Sequence, residues 1–232
     1  MRLPRLRGLV TAAALAVTTL AVPTMTAAPA SAETVAVNVA FAKDLDKRGT
    51  YGDYLSLTGA VKDAQGNGPL AGRVILQRLW LGSKTWKNVG VDTSPGFAYY
   101  PNYDKFNGNA YYRLAYTGGT YSSGSTTYTY PGKFSKPIKV VTGRKMGFKD
   151  LSAKRKRPTA RVKITPDYRN KRTVLQRKKN GKWRTVQRPK TNNKGQTTFS
   201  MDGNRKGILY RLTAKGSKRY ATTRIKIRAR RY

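Results

Sequence analysis

Val74-Ile75-Leu76-Gln77-Arg78, followed by Trp86, is matched further along the chain by Thr173-Val174-Leu175-Gln176-Arg177 and Trp183. Downstream of each copy stands Tyr-Arg-Leu, as Tyr112-Arg113-Leu114 and Tyr210-Arg211-Leu212, and then a further tyrosine, Tyr121 and Tyr220. The copies are offset by 99 residues at the Gln, 97 at the Trp, 98 at Tyr-Arg-Leu and 99 at the last Tyr. Four landmarks at a near-constant spacing of one small domain's length define an internal repeat, and so two domains of one fold.

Each copy sits within a run of short strands. Thr34 to Ala42 alternates loosely, and Lys43 to Asp53 is a polar loop with Gly49 and Gly52. Tyr54 to Val61 places Leu55, Leu57 and Gly59 on one face and Tyr54, Ser56 and Thr58 on the other. Gln65-Gly66-Asn67-Gly68-Pro69 is a turn cluster, Gly72 to Trp80 carries the repeated strand, and Gly82-Ser83 turns it into Thr85 to Val91. Gly96 to Tyr100, Ala110 to Thr117 and Ser123 to Tyr130 bring the first half to seven strands, and Pro131-Gly132-Lys133 reads as the linker. The second half runs Pro137 to Thr142, Ala160 to Thr165, Thr173 to Lys178, Lys182 to Gln187, Gln196 to Met201, Ile208 to Ala214 and Ala221 to Ala229. Asn180-Gly181 is the residue pair that a two-residue hairpin favours. Regularly spaced strands with turn residues between them predict an all-β protein of tandem sandwiches.

Leu-Gln-Arg, a Gly-containing hairpin with Trp, and Tyr-Arg-Leu before a Gly/Ser turn together resemble the immunoglobulin-like β-sandwich modules of secreted actinobacterial proteins. The resemblance spans residues 33 to 232. It implies spacer, adhesion or binding-accessory roles and no particular activity. In such sandwiches a Tyr near the start of the sixth strand often anchors a corner by bonding backbone upstream. Tyr112 and Tyr210 are the candidates, with a half-buried strand Tyr that makes no special bond as the alternative.

The first residues read as an export signal. Arg2, Arg5 and Arg7 precede an apolar run from Leu9 to Val22 that is short for a bilayer span, and Ala30-Ser31-Ala32 is an A-x-A cleavage site. The expected organisation is therefore a signal peptide at 1–32, a near-neutral, Tyr-rich immunoglobulin-like domain at 33–132 and a strongly basic one at 133–232. The chain has no Cys, and each half is large enough to build a core without disulfides.

Charge separates the halves. The chain carries a net +37; residues 33 to 135 hold 11 basic and 7 acidic side chains, and residues 136 to 232 hold 33 basic and 3 acidic. A fold does not need such an imbalance, because self-repulsion opposes compaction. Lys154-Arg155-Lys156-Arg157 is a dense run before a strand, and Arg177, Lys178, Lys179 and Lys182 surround the Asn-Gly hairpin. Arg224, Lys226, Arg228 and Arg230 alternate with Ile225, Ile227 and Ala229, so one face of the last strand is a basic ladder. Arg161 and Lys163 make a second ladder, which the immunoglobulin-like arrangement assigns to the opposite sheet. Basic charge on both outer faces predicts salt-sensitive, unselective attachment to polyanions: wall teichoic acid, acidic glycan, phospholipid headgroups or the nucleic acid backbone. No nucleic-acid motif of known geometry is present, so base-specific reading is not expected.

The first half offers an alternative. Its tyrosines cluster in the later strands, and Tyr99 and Tyr103, near Asn102 and Asp104, have the apolar face and polar tip that stack on a sugar. Trp80, which has no counterpart in the second half, joins them as a surface candidate. The matched Trp86 and Trp183 read as packing residues. Catalysis has little to work with. There is no His, no Cys nucleophile and no phosphate loop, and Asp44 and Asp46 are followed by Lys47 and Arg48, which repel a metal cation. The expectation is a secreted or wall-associated, non-enzymatic polyanion-binding protein without cofactor or metal. The alternatives are a carbohydrate-binding or adhesion module working through the first domain, or a structural spacer.

Overall fold

The computed structural model describes residues 30–93, 98–153 and 156–231, and for 98–103 the backbone alone. The first part of the chain forms β1 (Ser31–Thr34), β2 (Asn38–Phe41), β3 (Arg48–Thr50), β4 (Tyr54–Lys62), β5 (Val74–Trp80), β6 (Lys87–Asp92), β7 (Ala98–Lys105), β8 (Ala110–Tyr116), β9 (Gly119–Ser123), β10 (Thr126–Tyr130), β11 (Lys133–Phe134) and β12 (Ile138–Gly143). The second forms β13 (Lys145–Asp150), β14 (Thr159–Thr165), β15 (Val174–Lys179), β16 (Lys182–Gln187), β17 (Gln196–Ser200), β18 (Ile208–Ala214) and β19 (Thr223–Ala229). No helix among the described residues is long and apolar enough to cross a membrane.

Each part is an immunoglobulin-like sandwich. In the second, a sheet ordered β13-β14-β17 faces one ordered β16-β15-β18-β19. In the first, β2-β4-β7 faces β3-β12-β8-β5-β6, with β11 also on β8. The strands form where side chains alternate. Along β4, Leu55, Leu57, Gly59 and Val61 are buried while Tyr54 and Ser56 face out; along β14, Ala160, Val162 and Ile164 are buried while Arg161 and Lys163 face out. Alternation with one buried face pins the register, since a one-residue slip would expose every apolar side chain. Two separate cores result, one centred on Leu57, Leu76 and Leu114, the other on Val162, Leu175 and Leu212.

Several expectations need correction. The chain does not leave the first sandwich at Pro131-Gly132-Lys133. β11 and β12 pair with β8, and Val140 lies in the first core, so the strand expected to open the second domain closes the first. The second sandwich opens instead with β13, whose Gly147 and charged residues hid its pattern. Moving the boundary beyond residue 143 gives Lys136 and Lys139 to the first sandwich and leaves 31 basic residues against 3 acidic in the second. Ser123 to Tyr130, expected as the seventh strand, contains β10, which forms a hairpin with β9 inserted between β8 and β11. The loop at Lys43 to Asp53 contains β3, which pairs in parallel with β12. The expected first strand divides in two, because β1 pairs with β10 and β2 with β4. Cleavage after Ala32 would remove Ser31 and Ala32 from β1.

The two sandwiches meet at a bonded seam. Asn109 is buried; its side-chain amide donates to the Lys218 carbonyl at 3.0 Å and its side-chain oxygen accepts from the Thr142 N–H at 2.9 Å. The Tyr220 hydroxyl donates to the Asn107 carbonyl at 3.1 Å, and the rings of Tyr51 and Tyr220 meet edge to face at 6.2 Å. Directly after β12, the 2 % exposed Arg144 donates to the carbonyls of Pro166 and Lys215 and lies against the rings of Tyr168 and Tyr220. Burial pulls its guanidinium below its ordinary pKa, and the neighbouring Tyr168 and Tyr220 oppose that shift.

Candidate functional site

The repeated residues build one framework twice. Arg113 Nε donates to Gln77 Oε1 at 2.8 Å, and its guanidinium lies 4.3 Å over Trp86. Arg211 Nε donates to Gln176 Oε1 at 2.9 Å, and its guanidinium lies 4.5 Å over Trp183. Both tryptophans are therefore packing residues, as expected. The corner tyrosines both reach eight residues upstream. Tyr210 Oη accepts from the Asp202 N–H and donates to the Asp202 carbonyl, whereas Tyr112 Oη donates to the Asp104 carboxylate at 2.6 Å. Burial, reinforced by Asp104, pushes the Tyr112 hydroxyl well above the usual tyrosine range. Tyr121 and Tyr220, the fourth landmark, are not equivalent: one is exposed on β9, the other buried at the seam.

On this framework the second sandwich carries its cations outward. Arg224, Lys226 and Arg228 on β19 are exposed, as is Arg230 just past it, while Ile227 and Ala229 are buried. Cross-strand pairing sets Arg211 of β18 beside Lys226, so the face gains a cation that the sequence reading had not selected. On the opposite sheet Arg161 and Lys163 are exposed, and Lys149 of β13 lies beside Arg161. Lys145 and Lys149, two pleats apart on β13, were also missed. Recognising β13 as a strand would have shown them on this face, since alternate residues share a side. Lys178, Lys179 and Lys182 are exposed around the Asn180-Gly181 turn, where both residues have positive φ, as a type I′ hairpin requires.

Not every selected cation is equally free. Arg157 and Arg177 converge on Asp202, at 2.7 and 3.6 Å, and Arg177 faces the side of β15 opposite Lys178. Lys156 is exposed, and Lys154 and Arg155 lie outside the described residues. Asp150 is held low by hydrogen bonds from the hydroxyl and N–H of Ser152. The two ladders do not merge into one groove; they lie on opposite faces of one module.

The aromatic candidates fare differently. Trp80 is half-buried against the first core, with Arg78 4.1 Å over its ring and Arg219 of the second sandwich at 5.1 Å. A sugar platform needs an open ring face, and here Arg78 of the same strand and Arg219 from across the seam lie over it, so Trp80 is withdrawn as a surface residue. The side chains of Tyr99 and Tyr103 lie outside the described residues; their strand, β7, pairs with β4. Among the described residues no three His, Cys, Asp or Glu side chains gather to hold a metal.

Fold and surface together define a tandem immunoglobulin-like β-sandwich protein with one polycationic module. No family model and no curated protein matches the chain. Among solved structures, a two-domain fibronectin type III segment of chicken tenascin is similar, with 16 % identity over 81 % of this chain and 99 % of that one, at a TM-score of 0.36. The sandwich assignment rests on strand order and pairing, not on this likeness.

Proposed function

We propose that this protein is a secreted, non-enzymatic binding protein whose second sandwich attaches to anionic polymers of the cell envelope or its surroundings. One observation carries the reading: both outer faces of the second sandwich display exposed cations that form no ion pair among the described residues, with Arg224, Lys226 and Arg228 on one and Arg161, Lys163 and Lys149 on the other. A polyanion held this way releases its counterions to each neutralising Lys or Arg, so affinity is high at low ionic strength and falls steeply with salt. Cations on two faces suit a module embedded in a polyanionic mesh better than one that clamps a single strand. The first sandwich, tied on by the seam, holds the basic module at a fixed orientation. The export signal at 1–32 and the exposed location of such polymers agree with a site of action outside the cell. The test is binding of the mature chain to an anionic polymer over a salt series. Steep loss of affinity with salt supports the reading, and no binding at low salt refutes it.

A further inference from the structure

We infer that the polymer lying along β19 is a linear phosphodiester chain with six backbone bonds from one phosphate to the next. The inference rests on the polyanion reading above and narrows it to a chemical class. Strand β19 and its continuation present Arg224, Lys226, Arg228 and Arg230 at alternate positions, all exposed. A strand rises ~3.3 Å per residue, so cations on one face recur about every 6.6 Å. Each residue contributes three backbone bonds, so six bonds separate one cation's Cα from the next. An extended chain of comparable single bonds, with a phosphate every six, has the same repeat and meets a cation at every phosphate.

Two polymers have that repeat. A nucleic acid strand runs from phosphorus through oxygen, three sugar carbons and oxygen to the next phosphorus. A glycerol phosphate polymer runs through oxygen, three carbons and oxygen. Inorganic polyphosphate repeats every two bonds and overcrowds the ladder. Sulfated glycans space their charges by rigid rings and match it irregularly.

Three features of the fold favour this ladder over the other cations. A Cβ on Gly207 would fall 2.7 Å from Arg228 Cγ and 3.1 Å from Arg230 Cγ, so these two stems lie side by side over bare backbone. The neighbouring strand offers Thr213, Arg211 and Leu209 opposite Arg224, Lys226 and Arg228, with no carboxylate among them. β19 is the edge strand of its sheet, flanked within it by β18 alone. β14, by contrast, is a central strand with two cations.

The test uses the full mature chain with four probes at matched anion concentration and salt: poly(glycerol phosphate), single-stranded DNA, inorganic polyphosphate and heparin. The two six-bond polymers are expected to bind about tenfold more tightly per anion than the other two. Whichever of the two binds better identifies the source. Equal affinity per anion across all four overturns the inference and leaves polyanion binding standing; no binding to any overturns both. A variant of the chain that moves charge without changing its total gives a second test. Lys226→Thr combined with Thr185→Lys shifts one cation from β19 to the exposed β16. It is expected to lose the six-bond preference and keep its affinity for polyphosphate and heparin; a retained preference overturns the inference.

Discussion

The backbone N–H of Asn109 donates to the Arg219 carbonyl at 2.7 Å, and this bond crosses from the first sandwich into the second. The Asn109 side chain adds a bond to each side of the seam, to Lys218 and from Thr142. Removing a buried amide leaves partners unsatisfied, at a cost of about 1–3 kcal/mol. Asn109→Ala is therefore expected to lower stability in urea by that order and to speed tryptic cleavage at Arg144 and Lys145. Unchanged stability and digestion would show that the seam does not depend on Asn109.

Arg144 is the second support. It is buried with no carboxylate partner among its hydrogen bonds, so its charge is held by carbonyl oxygens, the Ser217 hydroxyl and two tyrosine faces. Arg144→Met orphans those acceptors and should cost about 3 kcal/mol. Arg144→Lys should recover little, because an ammonium lacks the planar fork that reaches Pro166, Lys215 and Ser217 together. Calorimetry of the two variants checks this ordering; Lys restoring full stability would contradict it.

Alkaline pH supplies a third test. Burial lifts the Tyr116 hydroxyl, which donates to the Ala71 carbonyl, from its ordinary 10.0 to about 12. A proton held more tightly in the folded state stabilises it fully below pH 10 and is lost as pH rises through about 12. Tyr112, Tyr210 and Tyr220 are shifted in the same direction, each mainly by burial. Stability should fall between pH 10 and 12, and Tyr116→Phe should flatten that fall while costing stability at neutral pH. An equally steep fall in the variant would exclude Tyr116 as a source.

Salt should act on folding and binding with opposite signs. The second sandwich gathers like charge that repels itself, and raising ionic strength screens this repulsion. The melting temperature should rise with added salt while polyanion affinity falls. Adding polyanion at low salt should also raise the melting temperature, since a ligand of the folded state stabilises it. A melting temperature that falls with salt would mean that the surface charges are paired.

The repeat was legible because each domain needs the same Arg-Gln-Trp arrangement. Arg113 and Arg211 require a Gln on the next strand and a ring beneath, so Gln77, Gln176, Trp86 and Trp183 recur at near-constant offsets. The ladders on β14 and β19 were legible because a two-residue period fixes which face each side chain takes. The domain boundary was not. Ile138 to Gly143 alternates as any strand does, and only its pairing with β8 and β3 assigns it to the first sandwich. Trp80 was misjudged for a related reason: Arg219, one of the two cations over its ring, lies 139 residues away in the chain. Tyr121 fell at the repeat offset through the inserted β9-β10 hairpin and has no structural counterpart.

The most direct measurement is the salt dependence of binding to an anionic polymer for the mature chain, beside a variant with Arg224, Lys226 and Arg228 changed to Ser. A control variant changes the first sandwich's exposed Lys62, Arg73 and Lys84 to Ser. Each cation that contacts a phosphate contributes about 0.7–0.9 to the slope of log affinity against log salt. The ladder variant should lose about two units of slope and much of its affinity at low salt, with the control close to the parent chain. Equal loss in both variants, or none in the ladder variant, would contradict attachment through the second sandwich.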